Sequence, residues 1–202
     1  DLPLLVRDSP TPVCETAATF LESLVGDHLL KNAEPHERLD ILDAMLAAAT
    51  RNIVDIYGRF LFENRLFEAR RKRSLSGEEL SEMMRSAFFE AYGDVIDPDT
   101  FNHLQWMTKP HYYIPNYHYY NFPYAFGCLA AEHLSASALL EGTAFVSRYR
   151  HFLERSCEGS TREIMSRIGL DIEQAAWWKM AVNRLQRYVT LFCEATNRED
   201  NL

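Results

Sequence analysis

Apolar residues recur at three- and four-residue steps along nearly the whole chain, and nowhere does a run of β-branched residues alternate with polar ones. That single feature limits the fold to helices packed on helices, because a 3.6-residue period places the apolar side chains on one stripe of a helix and on both faces of a strand. No Asn-Gly or Asp-Gly dipeptide offers a tight hairpin turn. The expectation is an all-α fold. The 202 residues, 47% hydrophobic and 25% charged, have the composition of a chain that buries a core rather than one that stays disordered.

The punctuation places the helices. Ser9 or Thr11 is expected to cap a first helix with Pro12 in its first turn, running through Val13, Phe20 and Leu24 to near Asn32. A second, from Pro35 to about Arg73, is expected as one long rod kinked at Gly58. The Ser74–Glu79 stretch stops it and caps a third, which Gly93 ends after Tyr92. A turn at Asp97–Thr100 should open a short helix through Trp106, before Pro110 and Pro115 force a loop. Helices over about 118–139, 142–157, 161–167 and 172–195 complete the reading. With no repeat and no long linker, residues 1–202 read as a single all-α unit.

Charge and composition exclude some partners. With 21 Lys and Arg against 29 Asp and Glu, the chain lacks the basic surface that nucleic acid requires, and Arg70–Arg73 reads as cations at a helix C-terminus. The longest stretch free of charged residues, 110–131, contains three prolines and does not suit a membrane span. Cys14, Cys128, Cys157 and Cys193 show no CxxC spacing and sit in helix-like contexts, which points to buried free thiols in the cytoplasm. No targeting peptide is visible at Asp1.

Two segments stand out chemically. Residues 111–127 hold six of the ten tyrosines and two of the seven histidines. Buried tyrosine hydroxyls need partners, so such a cluster either lines a polar site or packs a helix crossing. Tyr120 and Tyr124, four apart, share a helical face if the chain is helical there, and with His111 they present donors of the kind that stabilise a developing oxyanion. The second segment, Glu15-Thr-Ala-Ala-Thr-Phe-Leu-Glu22, places two carboxylates on one side of a helix among small and apolar neighbours. Such a group pairs with an Arg, with water, or with a metal.

Taken together, Glu-Thr-Ala-Ala-Thr-Phe-Leu-Glu and, about a hundred residues later, His-Tyr-Tyr-Ile-Pro…Tyr-Asn-Phe-Pro-Tyr-Ala-Phe-Gly resemble the C-terminal catalytic portion of the oligoendopeptidase F branch of the thimet-oligopeptidase-like zinc peptidases. The resemblance covers most of the chain and extends to Arg167–Asp171 and Trp177-Trp178 near its end. It implies zinc-dependent hydrolysis of oligopeptides, with Glu15 as the third zinc ligand. It also implies that His111 hydrogen-bonds substrate and that Tyr120 and Tyr124 stabilise the oxyanion. Of the other polar side chains of the segment, Tyr113, Tyr117 and His118 are expected as a substrate-binding wall, and His118 competes with His111 as the substrate-contacting imidazole. Ala18 stands where the family often has serine. The HExxH helix that carries the other two zinc ligands and the general base is absent, since the one His-Glu pair, His36-Glu37, continues Arg-Leu-Asp. An upstream region or a companion chain would have to supply it, and the Leu2–Leu5 stretch matches the region that follows it closely. A helical module that binds peptides without cutting them is the alternative.

Overall fold

The computed structural model describes residues 8–199, and among these every regular element is helical. In chain order they are α1 (Thr11–Asn32), α2 (Pro35–Thr50), a π-helical turn (Arg51–Asp55), α3 (Ile56–Arg70), α4 (Gly77–Tyr92), α5 (Gln105–Thr108), α6 (Phe122–Glu141), α7 (Thr143–Glu154), α8 (Thr161–Arg167) and α9 (Ala175–Glu199). Short 3₁₀ turns occupy Gly93–Val95 and Pro110–Tyr113. None of the described helices is long and apolar enough to cross a membrane. The chain falls into two compact units, one comprising residues up to Ala49 and from Phe126 onward, the other Thr50–Ala125.

The larger unit is built around Val13 and Phe20 of α1, Ala130, Ala131 and Leu134 of α6, Phe145 and Phe152 of α7, Ile164 and Met165 of α8 with Ile168 just after it, and Trp177 of α9. The paired alanines let α6 lie close to its neighbours. Closer still, a Cβ on Gly127 would stand 2.8 Å from the backbone carbon of Glu15, so α1 and α6 meet there with room only for a hydrogen atom. A smaller cluster joins Leu30, Leu42 and Tyr188. In the other unit Phe62 of α3 packs on Met84, Ala87 and Phe88 of α4.

The helix starts depart from the expected caps at α1 and agree at α4. Neither Ser9 nor Thr11 caps α1: the N-cap is Pro10, without a side-chain bond, and the Ser9 hydroxyl pairs instead with that of Ser156 at 2.8 Å. Ser76 and Ser160, by contrast, form full capping boxes with Glu79 and Glu163. Arg73 reaches across to the Glu79 carboxylate, which that bond holds at about 2.

The expected rod over 35–73 is divided at Arg51–Asp55, where the hydrogen bonding widens to π-type, and not at Gly58. Gly58 lies inside α3, where a Cβ would come 3.2 Å from the Phe88 ring, so this glycine serves close helix contact rather than bending. The short helix expected through Trp106 is confined to Gln105–Thr108, because the Asp97 side chain closes the 97–100 turn on itself by accepting from the Asp99 N–H and the Thr100 hydroxyl, each at 3.0 Å. The helix expected from 118 starts at Phe122, after a Tyr119 with φ of +56° that no helix accommodates. Those expected over 142–157 and 172–195 run over Thr143–Glu154 and Ala175–Glu199. All four cysteines are free, but only Cys128 is buried, while Cys14 and Cys193 are exposed on their helices.

Candidate functional site

Between α5 and α6 the chain cannot be helical, since Pro110 and Pro115 interrupt it and Asn116 and Tyr119 take left-handed backbone angles of +63° and +56°. Asparagine adopts that region readily; a tyrosine must be held there. Its N–H donates to Glu63 Oε1 at 3.0 Å, its hydroxyl donates to Asn64 Oδ1 at 2.9 Å, and its ring packs against Phe60 and Phe67 with centroids 5.4 Å away in each case. Glu63 is 3% exposed. Burial raises its carboxyl above the ordinary range, opposed by the Tyr119 N–H and the nearby His118.

One turn earlier on the same helix face, Arg59 is gripped by Asp55 at 2.5 Å and donates from Nη1 to Asn121 Oδ1 at 3.1 Å. Asn121 is 2% exposed and immediately precedes α6, accepting the Tyr124 N–H on its backbone carbonyl. Asp55 at the end of the π-helical turn and Arg59 and Glu63 on α3, spaced by four, thus form a charged track that clamps both ends of the 119–121 segment.

The clamp brings four of the sequence-derived residues together. The His111 ring stacks on Tyr120 at 4.8 Å with 18° between planes and lies 6.2 Å from Tyr124. Tyr117 lies 5.3 Å from Tyr120, and Tyr124 6.5 Å from it. Burial, then the charges of Arg59 and Lys109, hold the His111 imidazole below the usual histidine range, so it is neutral near pH 7.

The other two candidates are turned elsewhere. The Tyr113 hydroxyl donates to the Trp106 carbonyl at 2.9 Å. His118 packs edge-on to Phe67 at 5.0 Å and, with Arg70, Arg71 and Tyr119, lines a cavity of about 530 Å³. Neither makes a ring contact within the His111 group.

In the larger unit, Glu15 lies half-buried on α1, its carboxyl raised first by burial and then by the charge of Glu22. Gly127 fixes the helix backbone at that residue. The nearby Cys128 thiol is pushed up to about 12 by burial and by Glu132 and Glu22, which makes it a poor nucleophile and a poor ligand. Among the described residues no three His, Cys, Asp or Glu side chains gather as a metal site. Glu15 therefore offers one carboxylate, and the described residues do not by themselves fit a zinc ion.

Arg59, Glu63 and Asn121 were not among the sequence candidates. The signal for the first two was the Asp55-Arg59-Glu63 spacing on a helix that is otherwise apolar on that side, and for the third an Asn directly ahead of Phe-Pro at a helix start.

No family model matches the chain. It is 32% identical over 166 residues to oligopeptidase PepF of Bacillus subtilis (strain 168), an alignment covering 79% of this chain and 24% of that protein. It is 24% identical over 192 residues to the chromosomal oligoendopeptidase F of Lactococcus lactis subsp. cremoris, covering 92% of this chain and 31% of the relative. The chain thus spans only 24% and 31% of the length of these two curated relatives. The crystal structure of oligoendopeptidase-F from Enterococcus faecium superposes with a TM-score of 0.77 at 24% identity, over 93% of this chain and 36% of that one. A Chlamydophila abortus crystal structure gives a TM-score of 0.80 over 96% of this chain and 32% of that one. The likeness read from the two segments therefore holds over most of the chain, and its helical fold is shared with a solved oligoendopeptidase F.

Proposed function

We propose that this chain, a homologue of the oligoendopeptidases F over most of its length, forms the C-terminal part of the catalytic domain of a zinc-dependent oligopeptidase. The observation that carries the reading is the grouping of His111, Tyr120 and Tyr124 on a segment clamped by Arg59 and the buried Glu63. A loop ordered this way holds hydroxyl and imidazole donors in one arrangement before substrate arrives, which is what electrostatic stabilisation of a transition state requires.

In peptide hydrolysis the scissile carbonyl oxygen gains negative charge as water adds to its carbon. A neutral His111 donates one N–H to that oxygen or to a neighbouring peptide carbonyl, and Tyr120 and Tyr124 donate hydroxyl protons to the oxyanion without surrendering them. Tyr117, packed on Tyr120, walls the substrate, and the exposed Tyr113 and His118 contact it farther along. Glu15 contributes one metal ligand. The remaining two and the general base come from an HExxH-bearing region, upstream in the same protein or on a companion chain. The four free thiols fit a cytoplasmic location.

The test uses the protein that carries both this chain and an HExxH segment, assayed for zinc content after dialysis and for cleavage of an internally quenched oligopeptide. Glu15→Gln should lose most of its zinc and its activity, with Glu22→Gln affected less, because a site reduced to two histidines binds the metal far more weakly. His111→Gln should keep its zinc and lose turnover. Equal zinc in wild type and Glu15→Gln would refute the ligand role. Absence of any cleavage by the wild type would refute the peptidase reading and leave a helical module that binds peptides.

A further inference from the structure

The larger unit holds a cavity of about 530 Å³, walled by the C-terminal end of α1 and by Arg38 of α2, Leu139 of α6 and the 184–191 stretch of α9. On α1 the lining residues Leu24, Asp27, His28 and Lys31 follow helical spacing and share one face. Glu15 precedes Leu24 by about two and a half turns, which puts it on the opposite side of that helix. The floor of the cavity is apolar, with Leu30 and Tyr188 buried and Leu24 and Leu191 half-buried. Beside it runs a polar network that satisfies itself. Asp27 Oδ2 pairs with Arg184 Nη2, and its Oδ1 accepts the Tyr188 hydroxyl proton at 2.6 Å. Arg184 Nε donates to Glu132 Oε2 at 2.8 Å, and Glu132 Oε1 accepts from the Ser23 hydroxyl at 3.0 Å. Both oxygens of each carboxylate therefore already hold a donor of the protein. Lys31, Arg38 and Arg187 are different: among the described residues none of the three has an ion pair or a hydrogen bond. In a chain of net charge −8, three unpaired cations around one apolar cavity make a local positive spot.

We propose that this cavity binds a small amphipathic carboxylate, an aliphatic chain lying on Leu24, Leu30, Leu191 and Tyr188 with its carboxylate held by Arg38, Arg187 and Lys31. The volume is that of a small-molecule pocket, and an apolar lining with a few convergent polar groups is the usual make-up of one. Filling the cavity with an uncharged apolar body would strip water from the cations and return nothing to them; a carboxylate returns charge-assisted bonds, and the guanidinium fork matches its geometry. An aliphatic body fits better than a peptide. Leu24, Tyr188 and Leu191 stand inside α1 and α9, where the main-chain groups are paired along the helix, so that wall offers a peptide's amides no partner and would bury them unpaired. Asp27, the one carboxylate in the lining, is neutralised by Arg184 and so does not repel the head.

The test is calorimetric titration at pH 7 of octanoate into this chain and into the longer protein that carries an HExxH segment. Octanoate should bind both at a single site. Across hexanoate, octanoate and decanoate each added methylene should tighten binding by about fourfold, the worth of burying one CH₂. Octanol, the body without the head, should bind about tenfold more weakly for want of a charge-assisted bond, and octylamine, with its charge reversed, should not bind. Arg38→Gln and Arg187→Gln remove side chains that hold nothing else in the fold, and each should weaken octanoate by about tenfold. Leu139→Glu sets an anion in the wall at a residue 63% exposed, where folding tolerates it, and should weaken binding as well. Octanol binding as tightly as octanoate, or unchanged affinity in both glutamine variants, would overturn the proposal. So would tighter binding of N-acetylleucylleucine, which would make the occupant a peptide terminus, and so would failure of octanoate to bind the longer protein, which would mean that another part of that protein covers the cavity. None of these readouts involves zinc or cleavage, so the site and the peptidase reading fail or stand separately.

Discussion

Replacing Gly127 by alanine tests how closely α1 and α6 are locked at Glu15. The new Cβ would meet the Glu15 backbone carbon and its Cβ at 2.8 Å and its carbonyl oxygen at 3.0 Å. The carbon and oxygen are backbone atoms, and the Cβ is fixed to them, on a helix that cannot retreat alone, because Val13 and Phe20 on the same helix are 1% and 2% exposed in the core. Overpacking of a tight contact costs about 1–3 kcal/mol. Alanine gains about 1 kcal/mol over glycine in a helix. Since the obstacle is backbone, the upper part of the overpacking range applies, and the net loss should be about 1–2 kcal/mol. For a chain of this size that lowers Tm by about 2–8 °C. Gly26→Ala is the matched control: its Cβ would meet only the Met45 thioether, at 3.1 Å from both Sδ and Cε, and an unbranched side chain can move aside. It should be neutral or more stable than wild type. Urea unfolding followed by helical circular dichroism, with m compared between variants, gives both numbers. A Gly127→Ala chain as stable as Gly26→Ala would refute the close-approach argument.

Three further outcomes follow from the same contacts. Ser76→Ala removes the acceptor of the Glu79 N–H, 3.2 Å away, and should cost about 1 kcal/mol in the unfolding assay, whereas Ser76→Asp should cost little; equal losses would deny the cap. Glu63 has a folded-state pKa above its ordinary 4.5, so its contribution to stability is complete below about pH 4.5 and is lost as pH rises through the folded value. Glu63→Gln keeps the acceptor for Tyr119 and cannot ionise, so its stability relative to wild type should improve between about pH 4 and pH 7; a difference that stays flat across that range would contradict the assignment. In the zinc-loaded longer protein, Tyr124→Phe or Tyr120→Phe should lower kcat by about 10²-fold with KM little changed, by analogy with loss of one oxyanion donor. Unchanged kcat in both would make the tyrosines packing residues, a role in which only alanine, and only thermal stability, would register the loss.

Periodicity, prolines and capping residues were sufficient to read an all-α chain, because those signals act over one or two turns and are satisfied within them. Asn32, Tyr92 and the Thr161–Arg167 helix stand where the local rules placed them. The composition of 111–127 likewise marked the chemical segment before any coordinates, since so many phenols in one stretch demand partners or solvent. What the sequence left open was settled by contacts between residues far apart in it. Whether His111 or His118 joins the tyrosines depends on Tyr119 being held at positive φ by Glu63, 56 residues earlier, which turns the two neighbouring imidazoles to different surroundings. Gly58, legible locally as a kink, is instead the contact surface for Phe88, and the π-type turn at Arg51–Asp55 has no one-residue signature at all. Arg59 reads in one dimension as half of an i,i+4 ion pair with Asp55; only the fold brings Asn121, 62 residues later, to its other nitrogen. Local propensity is additive along the chain, whereas the orientation of a buried amide or imidazole is decided by which donor or acceptor the tertiary structure sets against it.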